Sequence, residues 1–167
     1  ITGTAGGIGS ATARRLLSDG YATVLVDCNE AALQALAEQL NAGPESLQLL
    51  AGDLADMTFV ESIAPRALER FGAIDVVVNN AAWRDLVTMR EISPQSWQRT
   101  LDVCLTAPAF LSREVAKHFE SRGRGVIVNI GSIMAQQAAG FAPAYVACKG
   151  AIESLTYDLA ALYGPRG

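Results

Sequence analysis

The sequence predicts an α/β domain in which a parallel sheet carries helices on both faces. Short apolar runs alternate with helix-length segments along most of the chain, the order that generates such a sheet. Two of the runs, Val76-Val-Val78 and Val126-Ile-Val128, are unbroken β-branched stretches, as strands covered on both sides require. The turn Thr2-Gly-Thr-Ala-Gly-Gly-Ile-Gly9 then leads directly into a helical pattern from Ser10 to Gly20.

The remaining elements follow in order. Residues 22–27, Ala-Thr-Val-Leu-Val-Asp, form a buried strand ending in a carboxylate. A helix over 29–41 opens at Asn29, whose side chain is a natural cap for Glu30-Ala-Ala-Leu33, and Gly43-Pro44 stops it. Strand 47–52 and helix 56–71 come next, then strand 74–80, one long helix over 95–121, strand 125–131 and helix 143–163. Gly52, Gly72 and Gly140 punctuate the connections. No internal repeat, linker or low-complexity stretch interrupts the pattern.

Composition narrows the function classes. Half of the 167 residues are apolar and the net charge is −4, which suits a packed domain and disfavours nucleic acid or an anionic membrane as partner. The basic stretch Arg122 to Arg124 reads as a solvated helix end, Arg14 and Arg15 as a solvated face, and the single His118 as a surface residue. Cys28, Cys104 and Cys148 lack metal-ligand spacing and are odd in number, so no metal site is indicated and a reducing, cytoplasmic setting is expected. The longest apolar runs are strand-length, and neither a spanning helix nor a leader can be drawn.

Two constellations carry chemistry. Tyr145 and Lys149 are four apart on a predicted helix, so an ammonium lies beside a phenol and favours its ionised form, which suits proton transfer near neutral pH. Ser132, thirteen residues upstream and just past a strand, is placed to hydrogen-bond the same substrate oxygen. At the other end, Gly3, Gly7 and Gly9 allow the backbone close to a pyrophosphate at a helix N-terminus. Asp27, about twenty residues on, is placed to accept hydrogen bonds from an adenosine ribose.

With these residues in view, the whole chain resembles the short-chain dehydrogenase/reductase family. Its glycine motif matches Gly3, Gly7 and Gly9 with Ile8 between them, and its acidic residue after the second strand matches Asp27. Its adenine-contacting Asp matches Asp53, followed by Leu54, and its Asn-Asn-Ala-Gly segment corresponds to Asn79-Asn80-Ala81-Ala82. Its catalytic Ser, Tyr and Lys fall on Ser132, Tyr145 and Lys149. The resemblance implies a Rossmann-like doubly wound sheet in a three-layer α/β/α sandwich. It also implies a cofactor site at Gly3, Gly7, Ile8, Gly9, Asp27, Asp53, Leu54, Asn79, Ala81, Tyr145 and Lys149.

Two positions depart from the family pattern. Ala82 replaces a glycine and adds one methyl. Cys104, in Val103-Cys-Leu105, stands where the family has a fourth catalytic residue, an Asn that helps hold a water linking the lysine to solvent, and a thiol is a weak donor and weak acceptor.

The chain ends raise a separate expectation. Only Ile1 and Thr2 precede the glycine turn, whereas a strand of about five or six residues normally feeds it. The family also continues beyond Gly164-Pro-Arg-Gly167 into a sixth strand and a substrate-covering loop. Residues 1–167 are therefore expected to be a single dinucleotide-binding domain of a longer chain, without its first strand and its C-terminal substrate-binding part.

Charge at the ribose site favours NAD over NADP. Asp27 would repel a 2′-phosphate, and no Lys or Arg stands at 4–6 or 28–29 to receive one. The expected activity is hydride transfer between nicotinamide and a secondary alcohol or ketone. Tyr145 serves as acid or base, Lys149 as its activator and Ser132 as the orienting group, with Trp83 and residues 134–137 near the substrate. The alternative, suggested by Cys104, is a non-catalytic NAD-binding or assembly subunit. In the family, helices matching 95–121 and 143–163 pair across a two-fold axis. Leu101, Leu105, Phe110, Leu111, Val115, Leu155, Leu159 and Leu162 are more apolar surface than one sheet face needs, so a homodimer or homotetramer is expected there.

Overall fold

The computed structural model describes residues 1–167. Helix α1 (Gly7–Ser18) precedes strand β1 (Thr23–Asp27), and α2 (Glu30–Leu40) connects β1 to β2 (Leu47–Ala51). Helix α3 (Met57–Phe71) leads to β3 (Val76–Asn79). Then come α4 (Pro94–Leu101), a π-helical turn (Asp102–Thr106), α5 (Ala107–Arg122), β4 (Val126–Asn129) and α6 (Pro143–Tyr163).

The strands form two parallel pairs, β1 with β2 and β3 with β4. Residues Ile1 and Thr2 lie between the pairs and tie them together. The Val26 N–H donates to the Ile1 carbonyl and the Thr2 N–H to the Val78 carbonyl, each at 3.0 Å.

Period-two alternation sorts the apolar side chains to two faces. On one, Leu25 packs with Ala13 of α1 and Leu33 and Leu36 of α2. On the other, Val26, Leu50 and Val77 pack with Val60 and Ile63 of α3 and Leu111, Val115 and Phe119 of α5. Helices thus cover both faces, as the sequence predicts. None of them is long and apolar enough to cross a membrane.

Asn29 caps α2 as expected, its Oδ1 accepting from the Ala32 N–H at 3.0 Å, and Asp56 and Ser93 cap α3 and α4 in the same way. Other expectations need correction. Helix α2 ends at Asn41, in the left-handed conformation at φ 49°, two residues before Gly43-Pro44. The strands are trimmed at their ends relative to the apolar runs, because pairing stops before apolarity does.

The single helix expected over 95–121 is interrupted by the π-helical turn at Asp102–Thr106, which inserts Cys104 into the core. Two other residues are tied to the fold rather than solvated. The His118 ring accepts from the Ile74 N–H at 3.3 Å, and Arg122 binds Asp75 at 3.0 Å and the Ile74 carbonyl at 2.9 Å. Leu111 and Val115, read as surplus surface, belong to the core. The large exposed apolar residues of α5 and α6 are Phe110, Tyr157 and Leu162.

Candidate active site

The glycine turn is held by sterics that admit no side chain. Gly3 sits at φ 67°, and a Cβ there would come within 2.6 Å of the Ala81 backbone; one on Gly9 would come within 2.2 Å of the Gly3 carbonyl oxygen. At Gly7 the reason differs, because a Cβ would meet no protein atom within 4 Å. That space lies at the first residue of α1, whose leading N–H groups lack a side-chain cap. The arrangement fits a pyrophosphate on a helix N-terminus.

Asn80, named above only as part of the matching segment, locks the turn in place. Its side-chain amide donates to the carbonyls of Thr2 at 2.9 Å and Gly3 at 3.0 Å, while the Thr2 hydroxyl accepts from the N–H groups of Asn80 and Ala81. Asn79 supports the same segment from beneath. It is buried and donates to Asn129 at 2.8 Å and Ser112 at 3.2 Å.

A cleft beside the turn is lined by Gly3, Asp27, Asp53, Leu54, Ala81 and Trp83, among others. The Asp27 carboxylate is fixed at its edge, accepting from the Ala5 N–H at 2.9 Å and the Asn29 N–H at 3.1 Å. Asp53 accepts from the Ala55 N–H at 3.0 Å and pairs with Arg99 at 2.9 Å. The Ala55 bond, assisted by Arg99, holds its carboxyl below the usual range. Arg99 also lies 5.7 Å from the Trp83 ring, linking the cleft floor to α4.

Tyr145 and Lys149 occupy one face of α6, one helical turn apart. Lys149 is only 3% exposed; its ammonium donates to the Ile130 carbonyl at the end of β4 and lies 5.5 Å from the Tyr145 ring centre. Burial lowers the Lys149 pKa from its ordinary value. Ser132 begins a short 3₁₀ turn (Ile133–Ala135), its hydroxyl accepting from the Met134 N–H at 3.2 Å.

The Cys104 thiol faces the loop after β3, accepting from the Trp83 N–H and donating to the Trp83 carbonyl. Burial raises the Cys104 pKa and pushes that of Cys148 up to about 12, so neither thiol ionises at neutral pH. Beside Trp83, Arg84 places its guanidinium 5.5 Å from the Tyr145 ring centre, a contact no sequence spacing announces.

A model of the short chain dehydrogenases matches residues 1–167, the entire length of the chain. The chain belongs to this family. A 3β-hydroxysteroid dehydrogenase 2 of Eggerthella lenta is 34% identical over 169 residues, which cover all of this chain and 65% of that protein. A D-threitol dehydrogenase of Mycolicibacterium smegmatis is 35% identical over 167 residues, covering all of this chain and 64% of the relative.

Among solved structures, the bulky-bulky ketone specific alcohol dehydrogenase of Comamonas testosteroni superposes with a TM-score of 0.91 at 28% identity. The match covers all of this chain and 67% of that one. A metagenomic short-chain oxidoreductase in complex with NADP gives a TM-score of 0.93 at 29% identity, covering 99% of this chain and 75% of its own. This chain thus has the Rossmann-like fold of these enzymes and spans a little under two thirds of the length of these curated relatives.

Proposed function

We propose that this protein is an NAD(H)-dependent oxidoreductase interconverting a secondary alcohol and a ketone. The observation that carries the reading is the buried Lys149 ammonium beside Tyr145 on α6, the helix that follows Ser132, in a chain whose glycine turn leaves open space at the N-terminus of α1.

Gly3, Gly7, Ile8 and Gly9 would hold the pyrophosphate, Asp27 the adenosine ribose, and Asp53 and Leu54 the adenine. Asn79 and Ala81 would shape the floor, while Tyr145 and Lys149 would reach the nicotinamide ribose. Bound nicotinamide would supply or accept the hydride, chemistry no side chain performs. In the reductive direction Tyr145 gives the proton that balances the hydride at the carbonyl oxygen, so a ketone and NADH become an alcohol and NAD⁺. Lys149 stabilises the phenolate left behind, and Ser132 orients the oxygen.

Asp27 supports NAD as the preferred cofactor, since its fixed carboxylate opposes a 2′-phosphate. Free cysteines support a cytoplasmic setting. The exposed Phe110, Tyr157 and Leu162 on α5 and α6 support a two-fold homodimer or homotetramer through these helices.

The direct test is NADH oxidation by the purified protein with a panel of ketones, with deuterium on the nicotinamide traced into the alcohol. NADH binding without turnover of any ketone would instead favour the non-catalytic NAD-binding subunit.

A further inference from the structure

Arg84 is a free cation held over the proton-transfer residue. It is exposed and takes part in none of the chain's ion pairs, as is also true of Arg14, Arg66, Arg70 and Arg90, but of these five it is the one over the Tyr145 ring. Its neighbour Asp85 is turned away, accepting from the Ser96 hydroxyl at 2.9 Å.

The backbone that carries Arg84 is pinned on both sides. Trp83 is bound through its N–H and its carbonyl by the Cys104 thiol, and the Val87 carbonyl accepts from the Ala142 N–H at 2.9 Å, at the start of α6. The guanidinium, with its fork of donors, lies 5.5 Å from the Tyr145 ring centre and has no hydrogen-bond acceptor or carboxylate of its own. A planar cation in that position matches a carboxylate.

We propose that Arg84 is a specificity-determining residue that binds an anionic group, a carboxylate, of the substrate, so that oxo acids are preferred over neutral ketones. This rests on the oxidoreductase reading above, in which Tyr145 protonates the substrate oxygen. A carboxylate a few bonds from the reacting carbonyl would pair with Arg84 while the carbonyl oxygen meets Tyr145 and Ser132. The acid and its neutral ester then differ only in the group that meets Arg84.

The test compares kcat/KM for acetoacetate and levulinate with that for their methyl esters, in the wild-type protein, Arg84→Met and Arg84→Lys. An exposed charge-assisted pair predicts an acid-to-ester ratio that is about tenfold higher in wild type than in Arg84→Met, with Arg84→Lys between them. An unchanged ratio in Arg84→Met, or a wild-type preference for the esters, overturns the proposal.

A second measurement separates this proposal from the redox reading. Levulinate is titrated onto the NADH-loaded protein and followed by NADH fluorescence. Binding by wild type that weakens in Arg84→Met supports the anion site even if no ketone is turned over, an outcome that would remove the oxidoreductase reading alone. Equal binding by both proteins overturns the site, whatever the turnover.

Discussion

Cys104 and Trp83 exchange two hydrogen bonds, the Trp83 N–H donating to Sγ at 3.3 Å and the thiol donating to the Trp83 carbonyl at 3.2 Å. The side chain at this position therefore clamps the loop after β3 to the π-helical turn. Cys104 is 1% exposed, so its loss leaves both a cavity and two unpaired backbone groups. Cys104→Ala should cost about 1–3 kcal/mol, and Cys104→Ser, which keeps a donor and an acceptor, distinctly less. Chemical denaturation of the three proteins checks the order; equal midpoints would mean that the thiol contacts carry no stability.

Tyr145→Phe keeps the ring under Arg84 and beside Lys149 and removes only the hydroxyl. Turnover should fall by about 10²–10⁴-fold with NADH affinity retained. Steady-state rates beside NADH fluorescence titration decide it, and more than a tenth of normal kcat would exclude Tyr145 as the proton donor.

On the proposed reading, Asp27 governs the cofactor ratio. Replacing it by Ser while changing Cys28 to Arg removes the repulsive charge, keeps an acceptor near the Ala5 N–H and supplies a cation for the 2′-phosphate. The kcat/KM ratio of NADPH to NADH should rise. A wild-type protein that already favours NADPH would contradict the charge argument.

Cys148 contributes a pH dependence of definite sign. Its thiol ionises near 9.0 when unfolded but only near 12 in the folded chain, owing to burial, with the neighbouring Cys104 adding to the effect. Below about pH 9 the two states bind the same proton and the group is neutral to stability. Between about pH 9 and 12 the unfolded state loses the proton first, so stability falls as pH rises. Cys148→Ala should therefore show a shallower alkaline decline in urea midpoint than wild type, and parallel curves would rule out Cys148 as the cause.

The proposed assembly through α5 and α6 makes a hydrodynamic prediction. Light scattering at micromolar concentration should give twice or four times the monomer mass. Tyr157→Glu combined with Leu162→Glu should shift the species toward monomer by burying charge in the interface. A wild-type monomer would count against the interface.

The parts of the fold legible in the sequence are those set by local periodicity. Alternation within residues 23–27 assigns Leu25 and Val26 to opposite layers, and the glycine turn announces its own conformation. The cap at Asn29 and the Tyr145–Lys149 face follow from helical spacing in the same way. What escaped depends on residues far apart in the chain. Asn80 reaches back to Thr2 and Gly3, His118 accepts from Ile74, and the π-helical turn accompanies a thiol engaged by Trp83. Arg84 over Tyr145 joins positions sixty-one residues apart, a separation over which no periodic pattern operates.

The loop after β3 is divided by its own bonding. Asn80 and Ala81 are fixed to the glycine turn and Trp83 to Cys104, whereas the side chain of residue 84 makes no hydrogen bond or ion pair and lies over the tyrosine ring. On the proposed reading, cofactor grip and substrate reading are thereby carried by adjacent residues with separate supports. Descent with modification can exchange the residue at 84 and explore new substrates while the nucleotide-binding half of the same loop is inherited intact.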